Sequence, residues 1–171
     1  MKQALLKQQG VLAISDIEED LSLRANEVLI EVKAVTICGS DLSYFQAEKL
    51  PHHLQYPLIL GHEMAGIVQE TGTAVASIQK GDGVAVEPQC YCGHRHARIR
   101  GDYNFCESLK FLASKGIRGP LKQYVKWPQG SVYKLENPML FEEGVLLVPL
   151  SVSHSAIANL DFHKDSRLVI L

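Results

Sequence analysis

Neither sign of charge dominates this chain of 171 residues, and its formal net charge at pH 7 is only −2. Such a balance argues against binding to nucleic acid or to a membrane surface through bulk electrostatics. The chain also lacks an apolar run approaching the roughly 20 residues that span a bilayer, and residues 1–8 lack the apolar region of a secretory signal. We therefore expect no nucleic-acid partner, no membrane insertion and a cytoplasmic location.

Cysteine is scarce as well, which argues against a disulfide-stapled scaffold. The four cysteines are Cys38, Cys90, Cys92 and Cys106. A chain of this length can bury a core without covalent staples, and one domain is the default expectation. Because cytoplasmic thiols are reduced or metal-bound rather than paired, metal ligation has to be weighed for these residues.

Strand patterns fill the first two thirds of the chain. β-Branched residues with partial alternation predict a strand at 27–35. Further strands are predicted at 66–70, 83–87 and 122–127. Glycines at positions 61, 66, 72, 81 and 83 punctuate this region, as tight turns between short strands require. Many short strands with glycine-rich turns favour a closed or partly closed barrel.

The pattern changes near Phe141. Residues 142–147 predict a short helix with acidic residues near its start, where the helix dipole favours them. A second helix is predicted over 150–158, just after Pro149, because proline is well tolerated near a helix start. The apolar run 168–171 predicts a final strand. The predicted fold class is therefore mainly β with short helices, organised as a partly closed barrel.

Two short motifs carry the candidate chemistry, Cys38-Gly39-Ser40-Asp41 and Gly61-His62-Glu63. They offer a thiolate, an imidazole and carboxylates, which are ligand types of a catalytic zinc site with one open position. Cys38 on its own could be a small buried apolar residue, but its motif neighbours favour zinc ligation. Ser40 on its own is most typical of the cap of a turn.

Several motifs in register resemble the zinc-dependent medium-chain dehydrogenase/reductase family, and most closely its sorbitol (polyol) dehydrogenase branch. The matching stretches are 37–41, 57–63, 80–82, 103–106 and 149–152. This resemblance implies a GroES-like catalytic domain, here residues 1–160, normally followed by a Rossmann domain that binds NAD(P). The implied activity is oxidation of a hydroxyl group in a small alcohol or polyol.

The resemblance also implies roles for the motif residues. Cys38 and His62 would be ligands of a catalytic Zn²⁺, and Glu63 would be the third ligand or its outer-shell alternate. Asp41 would orient the His62 ring by accepting its other N–H. Ser40 would relay the proton from the substrate hydroxyl.

The chain departs from the family pattern in a lobe at 88–108 that usually holds a structural zinc. The register places Cys92, Arg95, Arg98 and Cys106 at the four ligand positions, and a guanidinium group cannot ligate a cation. A degenerate second site would keep Cys92 and Cys106, joined by Cys90 and by His94 or His96. The basic residues of this lobe are otherwise expected to form a solvated loop.

Two further departures concern catalysis. Val148 occupies a position where polyol dehydrogenases commonly have a glutamate near the zinc-bound water. Residues 161–171 would be only the start of a truncated dinucleotide-binding domain, because no Gly-x-Gly-x-x-Gly turn is present. We expect residues 166–171 to be disordered or paired with a second copy, which would make the protein a homo-oligomer.

Three functional hypotheses remain open at this point. The first is the catalytic domain of a zinc-dependent, NAD(P)-linked alcohol or polyol dehydrogenase. The second is a non-catalytic GroES-like module that acts by interaction. The third is a zinc-binding remnant that associates with a full-length relative.

Overall fold

The computed structural model describes residues 1–52, 54–91, 106, 108–114, 116–136, 139–161 and 163–169. The strands assigned there are β1 (Lys2–Gln8), β2 (Val11–Asp16), β3 (Glu27–Thr36), β4 (Glu63–Thr71), β5 (Gly83–Val86), β6 (Gln89–Cys90), β7 (Lys110–Phe111), β8 (Tyr124–Pro128) and β9 (Val132–Lys134). The helices are α1 (Gly39–Gln46), α2 (Phe141–Gly144) and α3 (Leu147–Ala158), with a 3₁₀ turn at Gln129–Ser131.

The central element is an antiparallel sheet of five strands in the order β8-β3-β4-β5-β9. Its two edge strands, β8 and β9, are consecutive in the chain and are joined only by the 3₁₀ turn Gln129–Ser131. In a flat sheet the two edges would lie about 19 Å apart, farther than so short and compact a connection reaches. The sheet therefore curls until its edges approach each other.

The interior of the curled sheet is apolar. Alternate residues of the central strands point inward, so that Val28 and Ile30 of β3 face the same interior as Val125 and Trp127 of β8. The buried cluster comprises Val28, Ile30, Met64, Val68, Ile78, Val84, Val86, Leu112, Val125, Trp127 and Val132. The indole N–H of Trp127 donates to the carbonyl of Glu87 at 2.9 Å, which satisfies its polar atom in this apolar setting.

A separate hairpin of β1 and β2 joins the sheet through its first strand. Two isolated bridges, Gln3 with Lys122 and Leu6 with Leu58, connect β1 to the segments before β8 and before β4. The segment after β2 is held by Lys122, whose ammonium group contacts both oxygens of Glu19 at 2.8 and 2.9 Å. Burial lowers the pKa of Lys122, and the contact with Glu19 opposes that shift.

The predicted fold class is confirmed, since the chain is mainly β with short helices and a partly closed barrel. The strands predicted from the sequence correspond to parts of β3, β4, β5 and β8, and the two predicted helices correspond to α2 and α3. Helix α3 begins at Leu147, so that Pro149 is its third residue, where a missing N–H costs no helical hydrogen bond.

The strand predicted at 168–171 is wrong for the residues that can be checked. Leu168 and Val169 form no strand and are 53% and 77% exposed. A strand needs a neighbour to pair its N–H and C=O groups, and no strand in the described parts of the chain pairs with these residues. Residues 170 and 171 lie outside the described residues, and the division at residue 160 stays a prediction.

Candidate metal centre

The first motif lies where β3 leads into α1. Cys38 is the residue before the first helical turn and has an extended backbone, with φ −78° and ψ 160°. An extended backbone is typical of the residue that precedes a helix, and the helix starts at Gly39. Asp41 lies in the first turn of α1, where the helix dipole favours a negative charge.

The second motif lies at the entrance to β4. Gly61 has φ +90°, and a Cβ atom there would lie 3.2 Å from side-chain atoms of both Val35 and Pro120. Glycine adopts this backbone conformation and fits this space without strain. The turn at Gly61 is followed by His62 and then by Glu63, which is the first residue of β4.

The structure brings together the three side chains predicted from the sequence as zinc ligands. One ligand atom from each of Cys38, His62 and Glu63 lies within 4.8 Å of those of the other two. Atoms bound to one tetrahedral zinc lie roughly 3.3 to 3.8 Å apart, given the usual bond lengths, so small side-chain rotations would complete the set. Sulfur, nitrogen and oxygen donors suit the borderline softness of Zn²⁺. The residues present therefore fit the ion.

Asp41 holds the two ligand-bearing turns through their main chain. Its Oδ2 accepts a hydrogen bond from the N–H of Cys38 at 3.0 Å, and its Oδ1 accepts one from the N–H of Gly61 at 2.8 Å. The distance from Oδ2 to His62 Nδ1 is 3.7 Å, too long for a hydrogen bond. The expected hydrogen bond to the His62 ring is therefore not formed here. The buried carboxylate instead accepts hydrogen bonds from two main-chain N–H groups.

Two further side chains, those of Thr36 and Phe111, lie against the ligand set. The hydroxyl of Thr36 donates to Oε2 of Glu63 across the last paired position of β3 and β4. The ring of Phe111 lies against His62, with centroids 5.4 Å apart and planes inclined by 45°. Only the strand register could have indicated the first contact. The second joins residues that are distant in the sequence.

Ser40 is the second residue of α1 and is half-buried. Its hydroxyl takes part in none of the hydrogen bonds found among the described residues, and Cys38 rather than Ser40 occupies the position just before the helix. The relay role therefore stays a prediction.

The second predicted metal site falls largely outside the described residues. Cys92, Arg95 and Arg98 belong to the segment 92–105, which is not described. Cys106 is buried and Cys90 is half-buried. Among the described residues, Cys38, His62 and Glu63 form the one group of at least three side chains placed to hold a metal ion.

Three cavities lie away from the ligand set. Three cavities have volumes of about 470, 690 and 420 Å³, and none of the three is lined by Cys38, His62 or Glu63. The described residues also include no helix both long and apolar enough to cross a membrane.

A curled antiparallel sheet that brings a thiol, an imidazole and a carboxylate together defines a candidate metal-binding β-domain. The alcohol dehydrogenase GroES-like domain matches residues 24–137, more than half of the chain. Sorbitol dehydrogenase of Bacillus subtilis is 38% identical over 161 residues, covering 94% of this chain and 44% of that protein. The chain belongs to the zinc-dependent medium-chain dehydrogenase/reductase family, through its alcohol dehydrogenase GroES-like domain.

Other relatives agree with this assignment. D-xylulose reductase of Saccharomyces cerevisiae is 36% identical over 150 residues, which is 87% of this chain and 42% of that protein. The crystal structure of galactitol-1-phosphate dehydrogenase from Escherichia coli superposes with a TM-score of 0.84 at 25% identity, covering 92% of this chain and 44% of that one. The chain thus spans under half the length of these relatives.

Proposed function

We propose that this chain is the zinc-holding, substrate-side domain of a dehydrogenase that oxidises a hydroxyl group of a small polyol with NAD(P). The observation that carries the proposal is the convergence of Cys38, His62 and Glu63 to within 4.8 Å. The relatives support the substrate class, because sorbitol, xylulose and galactitol phosphate are all polyhydroxylated carbon chains.

In this proposal Cys38, His62 and Glu63 hold the catalytic Zn²⁺. Bound there, the ion would supply a Lewis acid that lowers the pKa of an alcohol hydroxyl. Asp41 fixes the main chain on both sides of the ligand set. Phe111 packs against the His62 ring and restricts its rotation.

Ser40 is the proposed proton relay, which would accept the proton of the substrate hydroxyl while passing its own hydroxyl proton on to solvent. It lies two residues after Cys38 in the first turn of α1, which places it on the ligand-bearing segment. Its hydroxyl makes no hydrogen bond to the described residues, so it is available to a substrate. The hydride acceptor would be NAD(P), and no described residue is assigned to hold it.

Metal analysis tests the proposal directly. Zinc bound to the purified chain after loading should amount to about one equivalent, as for a single catalytic site. Cys38→Ser should abolish that binding, whereas His154→Ser, at an exposed histidine outside the ligand set, should retain it. A wild-type chain that binds no zinc, or a Cys38→Ser variant that binds as well as wild type, would rule the proposal out.

An interaction role is the second candidate, and α3 supports it. No residue of this helix is buried, although leucine, valine and isoleucine recur along it. Such a helix is ordinarily covered by another element. We propose that the chain associates through α3, with a second copy of itself as the partner.

A cytoplasmic location, expected from the sequence, stays a prediction.

A further inference from the structure

The carboxylate of Glu63 lies in a buried position with little to balance it. Glu63 is 7% exposed, and it takes part in none of the ion pairs found among the described residues. Burying a carboxylate is unfavourable unless hydrogen bonds or a counter-charge compensate the lost water. The position of this side chain therefore depends on the few groups that contact it.

Within the described chain, the donor that reaches this carboxylate is the hydroxyl of Thr36. It donates to Oε2 of Glu63. A hydroxyl that donates to a charged carboxylate makes a stronger hydrogen bond than one between neutral groups. A carboxylate has two oxygens, so the contact occupies one and leaves the other available to a metal ion.

The strand register places the side chains of Thr36 and Glu63 next to each other. Thr36 and Glu63 are directly opposite each other at the end of the β3–β4 pair, and opposed residues of an antiparallel pair project from the same face. Threonine is branched at Cβ, so its hydroxyl has few rotamers to choose from. Glutamate has three rotatable side-chain bonds and would otherwise sample many positions.

We propose that Thr36 is a positioning residue, which sets the Glu63 carboxylate toward Cys38 and His62 before a metal ion arrives. This inference rests on the proposed metal site. Holding a flexible ligand in its bound position in advance reduces the ordering cost of binding, and loss of such an outer contact typically weakens metal affinity about 10- to 100-fold. Thr36 does not contact the metal in this proposal and acts only through Glu63.

Three variants of the full chain separate this role from a general effect on the strand. Thr36→Val keeps the branched shape but removes the donor, and Thr36→Ser keeps the donor. Thr71→Val is the matched control, because Thr71 lies at the opposite end of the same strand pair, opposite Val28. Zn²⁺ affinity is measured by competition with a chromophoric chelator, and the metal-free variants are compared by thermal unfolding.

We expect Thr36→Val to bind Zn²⁺ about 10-fold more weakly than wild type, with Thr36→Ser and Thr71→Val close to wild type. Equal affinity of Thr36→Val and wild type would overturn the inference, and so would equal losses in Thr36→Val and Thr36→Ser. A crystal structure of metal-free Thr36→Val adds a readout that needs no metal. Glu63 turned away from Cys38 supports the inference, and an unmoved Glu63 refutes it even if the wild-type chain binds no zinc.

Discussion

The carboxylate of Asp41 and the main-chain N–H of Gly61 are joined by a hydrogen bond of 2.8 Å between residues 20 positions apart in the chain. The other oxygen of the same carboxylate accepts from the N–H of Cys38. One buried side chain thus ties the segment that carries Cys38 to the segment that carries His62 and Glu63. These two hydrogen bonds therefore help to set the distances between the candidate ligands.

Asp41→Asn should destabilise the fold and weaken metal binding together. The amide offers one acceptor oxygen, so its NH₂ group would face one of the two main-chain donors and leave it unpaired. An unsatisfied buried donor costs about 1 to 3 kcal/mol. Urea unfolding of the metal-free chain measures the loss of stability, and chelator competition measures the loss of Zn²⁺ affinity.

Asp161→Asn provides the control for this prediction. The Asp161 side chain is almost fully exposed, and exposed substitutions usually change stability by no more than about 0.5 kcal/mol. If Asp41→Asn were as stable as Asp161→Asn and bound zinc equally well, the two main-chain contacts would not set the ligand spacing.

Gly61→Ala should also be destabilising, by about 1 to 3 kcal/mol. The backbone of Gly61 has φ +90°, and an added Cβ would press on Val35 and Pro120 at 3.2 Å. Gly130→Ala is the matched control, because a Cβ there meets nothing within 4 Å and the φ angle is ordinary. Thermal unfolding of both variants checks the prediction, and equal stability of the two would contradict it.

Four of the five strands of the central sheet, β3, β4, β5 and β8, could be predicted from the sequence because their patterns are local. β-Branched residues and alternation mark β3, and glycine turns bound β4 and β5. Helix α1 was not predicted, since its glycine, serine and aromatic residues are weak helix formers. It forms where Asp41 satisfies the N–H of Cys38 and anchors the first turn.

The candidate site was predictable as a set of residue types but not as a set of contacts. The two motifs indicated which side chains could bind zinc. That Asp41 would contact the main chain rather than the His62 ring depends on how two turns pack, which no local pattern encodes. The contact of Thr36 with Glu63 depends on the register of two strands separated by 26 residues in the chain.

Asp82 should show a stability effect that depends on pH. Its pKa lies below the usual value, chiefly because Lys134 donates a hydrogen bond to it and also because it accepts from the N–H of Gln79. A group whose pKa is lower in the folded state stabilises the fold above its unfolded pKa, and that stabilisation is lost as the pH falls through the folded pKa. Lys134→Met should therefore raise the pKa of Asp82 toward about 3.9.

At neutral pH the free energy of unfolding of Lys134→Met should be lower than that of wild type by less than about 1 kcal/mol, because Lys134 is partly exposed. The difference from wild type should shrink as the pH falls well below about 3.9, where Asp82 is protonated in both states. NMR titration of the Asp82 carboxyl and urea unfolding at neutral and acidic pH measure the two effects. If the stability difference between Lys134→Met and wild type did not vary with pH, the Asp82–Lys134 ion pair would not be its cause.

Helix α3 provides a prediction about association that does not depend on metal binding. Leu150 is 62% exposed, and lysine is as good a helix former as leucine, so Leu150→Lys should fold with nearly unchanged stability. Placing a charge within an apolar contact surface is unfavourable. The wild-type chain is expected to dimerise at high protein concentration and the variant to remain monomeric there, as measured by sedimentation equilibrium.

Leu12→Lys separates α3 from a second exposed apolar surface, that of the β1–β2 hairpin. Leu12 lies in β2 and is 47% exposed, so it matches Leu150 in residue type and in having a solvent-exposed side chain. Because the proposed contact involves α3 and not the hairpin, Leu12→Lys should dimerise as wild type does. If Leu12→Lys dissociated the dimer and Leu150→Lys did not, the hairpin would be the interface, and the exposed face of α3 would need another partner.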